Sequence, residues 1–151
     1  MKRSHKMPFG AECREDGSVR FRLWAPAARD VEICLAAPSG SLHLPLNHSD
    51  GGSFELVTDA AGAGTQYHFR IDGTQKVPDP ASRFQPHDVH GLSEVVDPNL
   101  FDWKDDGWKG RPWEESVIYE LHVGAFTPSG TFAGVQARLD QLTMEILLGV
   151  R

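Results

Sequence analysis

The chain has 151 residues, 40% of them apolar and 24% charged, enough apolar material for the core of one ordinary soluble domain. Its formal net charge is −6. No Lys/Arg run exceeds a pair, so the basic stripe of a nucleic-acid binder is excluded. The N-terminus, MKRSHKMPFG, is positive but lacks the apolar h-region of a signal peptide, and no run approaches transmembrane length. A cytoplasmic location with no membrane partner is the expectation.

Residues 8–98 read as all-β. EDGSV at 15–19 places Asp-Gly between two candidate strands, a hairpin signal. In VRFRLW, Val19, Phe21 and Leu23 alternate with Arg20 and Arg22. VEICL alternates in the same way. LHLPL sets Leu42, Leu44 and Leu46 on one face, and Pro45 makes it an edge strand because proline donates nothing to a ladder. SFELV turns Phe54 and Leu56 inward. QYHFRID turns Tyr67, Phe69 and Ile71 inward and leaves Gln66, His68 and Arg70 in water. Turns at PSG, SDGGS, AAGAGT and DGT separate the runs. Repeated period-2 patterning at this spacing predicts two antiparallel sheets face to face.

Cys13 and Cys34 make no disulfide framework. Strand phase points Cys13 inward and Cys34 outward, so both read as free thiols.

KVPDPASRFQPHDVHG has no clean period and reads as an ordered loop, since Pro and Asp fix turns. SEVVDP is a short extended piece. Residues 99–116 carry Trp103, Trp108 and Trp113 and read as a linker. VIYELHV at 117–123 has the alternation of a covered strand. TPSG is a turn. Thr131 caps a helix predicted to run to Leu148, with Phe132, Val135, Leu139, Leu142 and Ile146 as its apolar stripe and Gly149 as its stop.

RFRLWAPAARDVEI (20–33) resembles the N-terminal sandwich of isoamylase-like and branching-enzyme-like glycoside hydrolases, a glycogen-binding type of carbohydrate-binding module. VPDPASRFQPHDVHGLSEVVDP (77–98) and VIYELHVGAFTPSGTF (117–132) together resemble the malto-oligosyltrehalose trehalohydrolase family of the α-amylase superfamily. The resemblance covers residues 8–142. It implies a mainly β chain: an immunoglobulin-like sandwich over 8–98, the linker 99–116, and over 117–151 the first strand and helix of an incomplete (β/α)8 barrel. After Leu142 the sequence departs from the family pattern.

The activity implied is hydrolysis of the α-1,4 bond beside terminal trehalose in maltooligosyl trehalose, without a metal or organic cofactor. Retaining glycosidases need two carboxyl groups about 5–5.5 Å apart. No motif here matches a catalytic one, so no catalytic residue is assigned and the chain alone is expected to be inactive. A branching or debranching front piece is the alternative within the superfamily.

Individual residues carry competing readings. Trp24 is either a sugar-stacking platform or a strand-end tryptophan packed under the Ala-Pro turn; the second is preferred because buried aromatics dominate cores. Trp103, Trp108 and Trp113 are assigned to interdomain packing rather than a glucan groove. His87 and His90 with Asp79 and Asp88 are too weak a pattern for a metal site. Glu120 and His122 share a strand face and read as a structural pair. Phe126 follows the strand's C-terminal end, where such barrels place their sites, and is the second candidate for substrate proximity. Arg83 is expected to bond Asp79 or Asp97. Outward strand positions are mostly Arg, Glu, Gln and His, so the sandwich reads as structural, with α-glucan binding as its rival. An unpaired barrel strand also predicts self-association.

Overall fold

The computed structural model describes residues 7–38, 40–102, 104, 106–110 and 112–142. The chain divides into two compact units, Met1–Asp106 and Gly107–Arg151.

The first unit is an antiparallel β-sandwich. Its strands are β1 (Gly10–Cys13), β2 (Val19–Trp24), β3 (Val31–Ala37), β4 (Gly40–Pro45), β5 (Asn47–Ser49), β6 (Ser53–Thr58), β7 (Gln66–Ile71), β8 (Gln75–Val77) and β9 (Ser93–Glu94). One sheet has the order β1-β2-β6-β5; the other runs β4-β3-β7-β8, with β9 also paired to β7. The β1–β2 hairpin turns at Asp16-Gly17, where Gly17 takes φ +83° and Asp16 Oδ1 accepts from the Ser18 amide at 3.0 Å. β4 lies at a sheet edge, as Pro45 requires.

Alternation fills the interior. Val19, Phe21 and Leu23 of β2, Val31, Ile33 and Leu35 of β3, Phe54 of β6, and Tyr67 and Phe69 of β7 are buried together. The Phe21 and Tyr67 rings meet edge to face at 4.9 Å between the sheets. Full burial of a side chain such as Phe21 contributes about 1.5–3 kcal/mol. On the outer face of the four-stranded sheet, Arg20 donates to Glu12 Oε2 at 2.9 Å, to Glu55 Oε2 at 3.2 Å and to the Met7 carbonyl at 2.6 Å, tying β1, β2 and β6.

Three expectations for this unit need correction. Leu42 is exposed on the edge strand β4, next to the PSG turn. Cys34 does point away from the interior, yet it is buried: His43 and His68 flank it on the two neighbouring strands and close over it. Gln66, His68 and Arg70 are half-buried rather than in water, since β7 is flanked by strands on both sides. Cys13 is half-buried, and both cysteines are free thiols.

The second unit departs further from expectation. Residues 117–122 form no strand; Val123–Phe126 instead makes one helical turn, α1. A strand is a ladder, and among the described residues none lies beside 117–123 to supply partners. Val117, Ile118 and Tyr119 are exposed. The helix begins where Thr131 predicts, its hydroxyl accepting from the Gly134 amide at 3.1 Å. It covers Phe132–Gln136 as α2, turns at 137–138 and is helical again over 139–142. Phe132 and Leu139 of the expected stripe are exposed, while Leu142 is buried. Ile146, Leu148 and Gly149 lie outside the described residues.

Candidate functional site

The site grows from the end of β2. Trp24 occupies the outward phase of that strand, and it is 61% exposed rather than packed under the following turn. Its indole is nevertheless held: Nε1 donates to the Gly51 carbonyl at 3.0 Å. The Gly51-Gly52 backbone lies in the left-handed region, φ +68° and +77°. Gly52 also returns a bond, its carbonyl accepting from the Ala25 amide at 3.0 Å. A Cβ added at Gly52 would lie 2.6 Å from Pro26 Cβ, so only glycine allows this approach. The tryptophan is therefore fixed and open at once.

A groove of about 580 Å³ runs beside it, lined by Phe9, Arg22, Leu23, Trp24, Asp79, Pro80 and Ala81. That volume falls within the roughly 300–1,000 Å³ of ligand pockets. Arg22 sits with its guanidinium carbon 5.5 Å from the Phe9 ring centre, and its Nε is 3.7 Å from Glu55 Oε2. That Nε is buried and finds no hydrogen-bond partner among the described residues. The groove thus combines an open aromatic face, a second aromatic wall and a cation.

Its remaining wall is the loop after β8, and Asp79 fixes that loop. Asp79 is 4% exposed. Its Oδ2 accepts from the Tyr67 hydroxyl at 2.6 Å and its Oδ1 from the Ala81 amide at 2.8 Å. Its own amide donates to Ser93 Oγ at 3.0 Å. Burial pushes the Asp79 carboxyl up, against the lowering effect of the Tyr67 and Ala81 bonds and of the Arg83 charge. Burial and the neighbouring Asp79 likewise push the Tyr67 phenol up. Asp79 is the one acid lining the groove, and its oxygens are committed to the loop. The groove has the volume of a small-ligand site and a single lining acid, so the paired carboxyls of glycoside cleavage are not among its lining residues.

The other sequence-based candidates scatter. Phe126 ends α1, half-buried, in the second unit. Trp108 and Trp113 are exposed, and Trp103 lies outside the described residues. Among the described residues no three His, Cys, Asp or Glu side chains gather into a metal set. Asp88 Oδ1 accepts from the His90 amide at 2.7 Å. Arg83 donates to the Ala11 carbonyl, neither Asp79 nor Asp97 serving as its partner there. Glu120 and His122 are both exposed. Phe9, Arg22, Pro80 and Ala81 were missed as groove residues. Their sequence signal is thin: Arg22 reads only as an outward strand position, and Asp79-Pro80-Ala81 only as a turn.

The family model for carbohydrate-binding module 48, the isoamylase N-terminal domain, matches residues 8–98. A malto-oligosyltrehalose trehalohydrolase of Saccharolobus solfataricus is 41% identical over 136 residues, covering 90% of this chain and 23% of that protein. A malto-oligosyltrehalose trehalohydrolase of Deinococcus radiodurans is 42% identical over 124 residues, covering 82% of this chain and 20% of that protein. A crystal structure from Salmonella typhimurium, described as an alpha amylase, superposes with a TM-score of 0.82 at 41% identity, covering 91% of this chain and 23% of that one. The chain spans less than a quarter of the length of these relatives. None of its helices is long and apolar enough, among the described residues, to cross a membrane. With a two-sheet sandwich over the matched residues and an open tryptophan beside a groove, the chain belongs to the carbohydrate-binding module 48 family.

Proposed function

We propose that this chain is the front module of a malto-oligosyltrehalose trehalohydrolase-type enzyme and that its Trp24 groove holds an α-glucan chain. In this reading the sandwich occupies 8–98, the tryptophan-containing linker 99–116, and residues 117–151 open the catalytic barrel. The parent reaction is hydrolysis of the α-1,4 bond next to terminal trehalose, in the cytoplasm, and Phe126 lies near its substrate. Trp108 and Trp113 pack against the rest of that enzyme; the same role expected of Trp103 falls outside the described residues.

The observation that carries the binding role is the exposed, anchored Trp24 beside Arg22. An indole face covers the apolar face of a pyranose ring, and the guanidinium supplies donors for ring hydroxyls. Because Trp24 is already held by Gly51, little side-chain freedom is lost on stacking.

Isothermal titration of the chain with maltoheptaose tests the reading. Saturable heat that Trp24→Ala weakens at least tenfold, about 1.4 kcal/mol, is expected. No heat from the native chain would make the sandwich a structural prop. Light scattering on the same sample reads the expected self-association: a concentration-dependent rise in mass supports it, and a constant monomer mass rejects it.

A further inference from the structure

A second pocket, of about 290 Å³, lies on the outer side of the five-stranded sheet. Its polar walls are His68, Lys76 and His90; its apolar wall is Val77, Pro78 and Leu92. The sheet register explains the grouping. Arg70 is paired with Glu32 on one side and Lys76 on the other, and His68 is paired with Cys34, which is paired in turn with His43. Alternation turns Glu32, Cys34, His43, His68, Arg70 and Lys76 to one face. The loop after β8 then brings His90 to the same place.

Among the residues that line the pocket none is an acid, and Lys76 is the one formal cation. Glu32 is occupied by Arg70, whose Nε donates to it at 2.6 Å. Asp88, two residues before His90, turns its carboxylate onto the His90 amide. Lys76 belongs to no described ion pair. His68 Nε2 is buried without a hydrogen-bond partner among the described residues. Desolvation leads in holding the His68 ring below its ordinary value, and Lys76, His43 and Arg70 add to it. The pocket thus offers one lysine and two imidazoles with no lining acid.

We propose that this pocket binds a phosphate-bearing small molecule, inorganic phosphate or a sugar phosphate. Lys76, His68 and His90 hold the oxyanion through N–H donors, and Val77, Pro78 and Leu92 cover any carbon portion. A phosphate monoester carries nearly two negative charges at neutral pH and offers three acceptor oxygens, which match a cluster of donors with no free acid. The pocket's volume sits at the small end of ligand sites, about 300 Å³, which suits one ring or less. The proposal stands on its own residues and not on the glucan reading, since the Trp24 groove shares none of them.

The test is an NMR titration of the whole chain with inorganic phosphate and, separately, glucose 1-phosphate, at ionic strength held constant with sodium chloride. Saturable shifts of the His68 and His90 rings at low-millimolar ligand are expected. Tighter binding of glucose 1-phosphate identifies the sugar phosphate as the ligand; equal binding identifies phosphate alone. Lys76→Gln, at an exposed position, should weaken binding at least tenfold and leave the maltoheptaose heat unchanged. The proposal is overturned if neither ligand gives saturable shifts at tens of millimolar, if chloride alone reproduces them, or if Lys76→Gln binds as the native chain does.

Discussion

The Tyr67 hydroxyl donates to Asp79 Oδ2 at 2.6 Å, joining the start of β7 to the loop that walls the Trp24 groove. Both groups are buried, so neither has water as a substitute partner. Tyr67→Phe keeps the ring packed against Phe21 and removes only the hydroxyl. It is expected to cost about 1.5–3 kcal/mol, the range for a hydrogen bond to a charged group. Urea unfolding checks this: the midpoint should fall while the m-value stays constant. An unchanged midpoint would mean that Asp79 is sufficiently held by Ala81 and Ser93.

Gly52→Ala is expected to destabilise by more than about 1 kcal/mol, since φ is +77° and the new Cβ collides with Pro26. Gly51→Ala is a useful comparison, because a Cβ there meets nothing within 4 Å and only its φ of +68° opposes it. Thermal unfolding of the two should therefore rank Gly52→Ala below Gly51→Ala. The Gly52 variant should also release the indole anchor, read as a red shift of Trp24 emission.

Both thiols resist titration to thiolate. Burial pushes Cys34 up, as does Glu32, while Arg70 and Lys76 lower it; burial also leads for Cys13, reinforced by Asp97. Iodoacetamide at pH 8 should therefore modify the native chain slowly, half-buried Cys13 before buried Cys34. In urea the two should react at the same fast rate. Rapid native labelling of Cys34 would show that the His43–His68 cover opens readily.

His68 gives the fold a pH dependence. Its ring is held below the ordinary value of 6.5, first by desolvation and then by Lys76, His43 and Arg70. The unfolded chain thus binds a proton that the folded chain resists. Stability is full above pH 6.5 and falls as pH drops below it, toward the folded value. His68→Gln should flatten the stability curve over that interval. His43 shares the outer face with His68, both beside Cys34, so the His43→Gln variant is measured beside it, along with the double variant.

Much of the sandwich was legible because alternation is a local property. Phe21, Phe54, Tyr67 and Phe69 each announce their face through their neighbours, and Asp16-Gly17 announces its turn. What failed depends on distant chain. Cys34 is covered by residues on two other strands, which phase cannot reveal. Leu42 has the right phase but lies exposed on an edge strand. Residues 117–123 have a strand's pattern but no described neighbour to ladder with. At the candidate site, Trp24 was singled out, yet its preferred reading was burial. The groove arises only when Phe9, Arg22 and Asp79-Pro80-Ala81 meet, three segments separated in sequence whose grouping no local period encodes.

The two sheets are joined differently along their two seams. On one side the chain passes from β4 in one sheet to β5 in the other through the single buried residue Leu46, whose amide donates to the Val31 carbonyl at 2.8 Å. On the other side the loop after β8, held to β7 of its own sheet through Asp79 and Tyr67, reaches β1 through the Arg83 bond to the Ala11 carbonyl. The first seam is a covalent hinge; the second is a clasp that hydrogen bonds can release. The chain also crosses between the sheets from β2 to β3 and from β6 to β7, so the β1 edge is the place where hydrogen bonds alone hold the two together. Phe9, Arg22 and Trp24 lie on one side of the clasp, and Asp79, Pro80 and Ala81 on the clasp itself. A sugar chain seated in the groove would touch both, so its binding is expected to raise the urea midpoint of the sandwich.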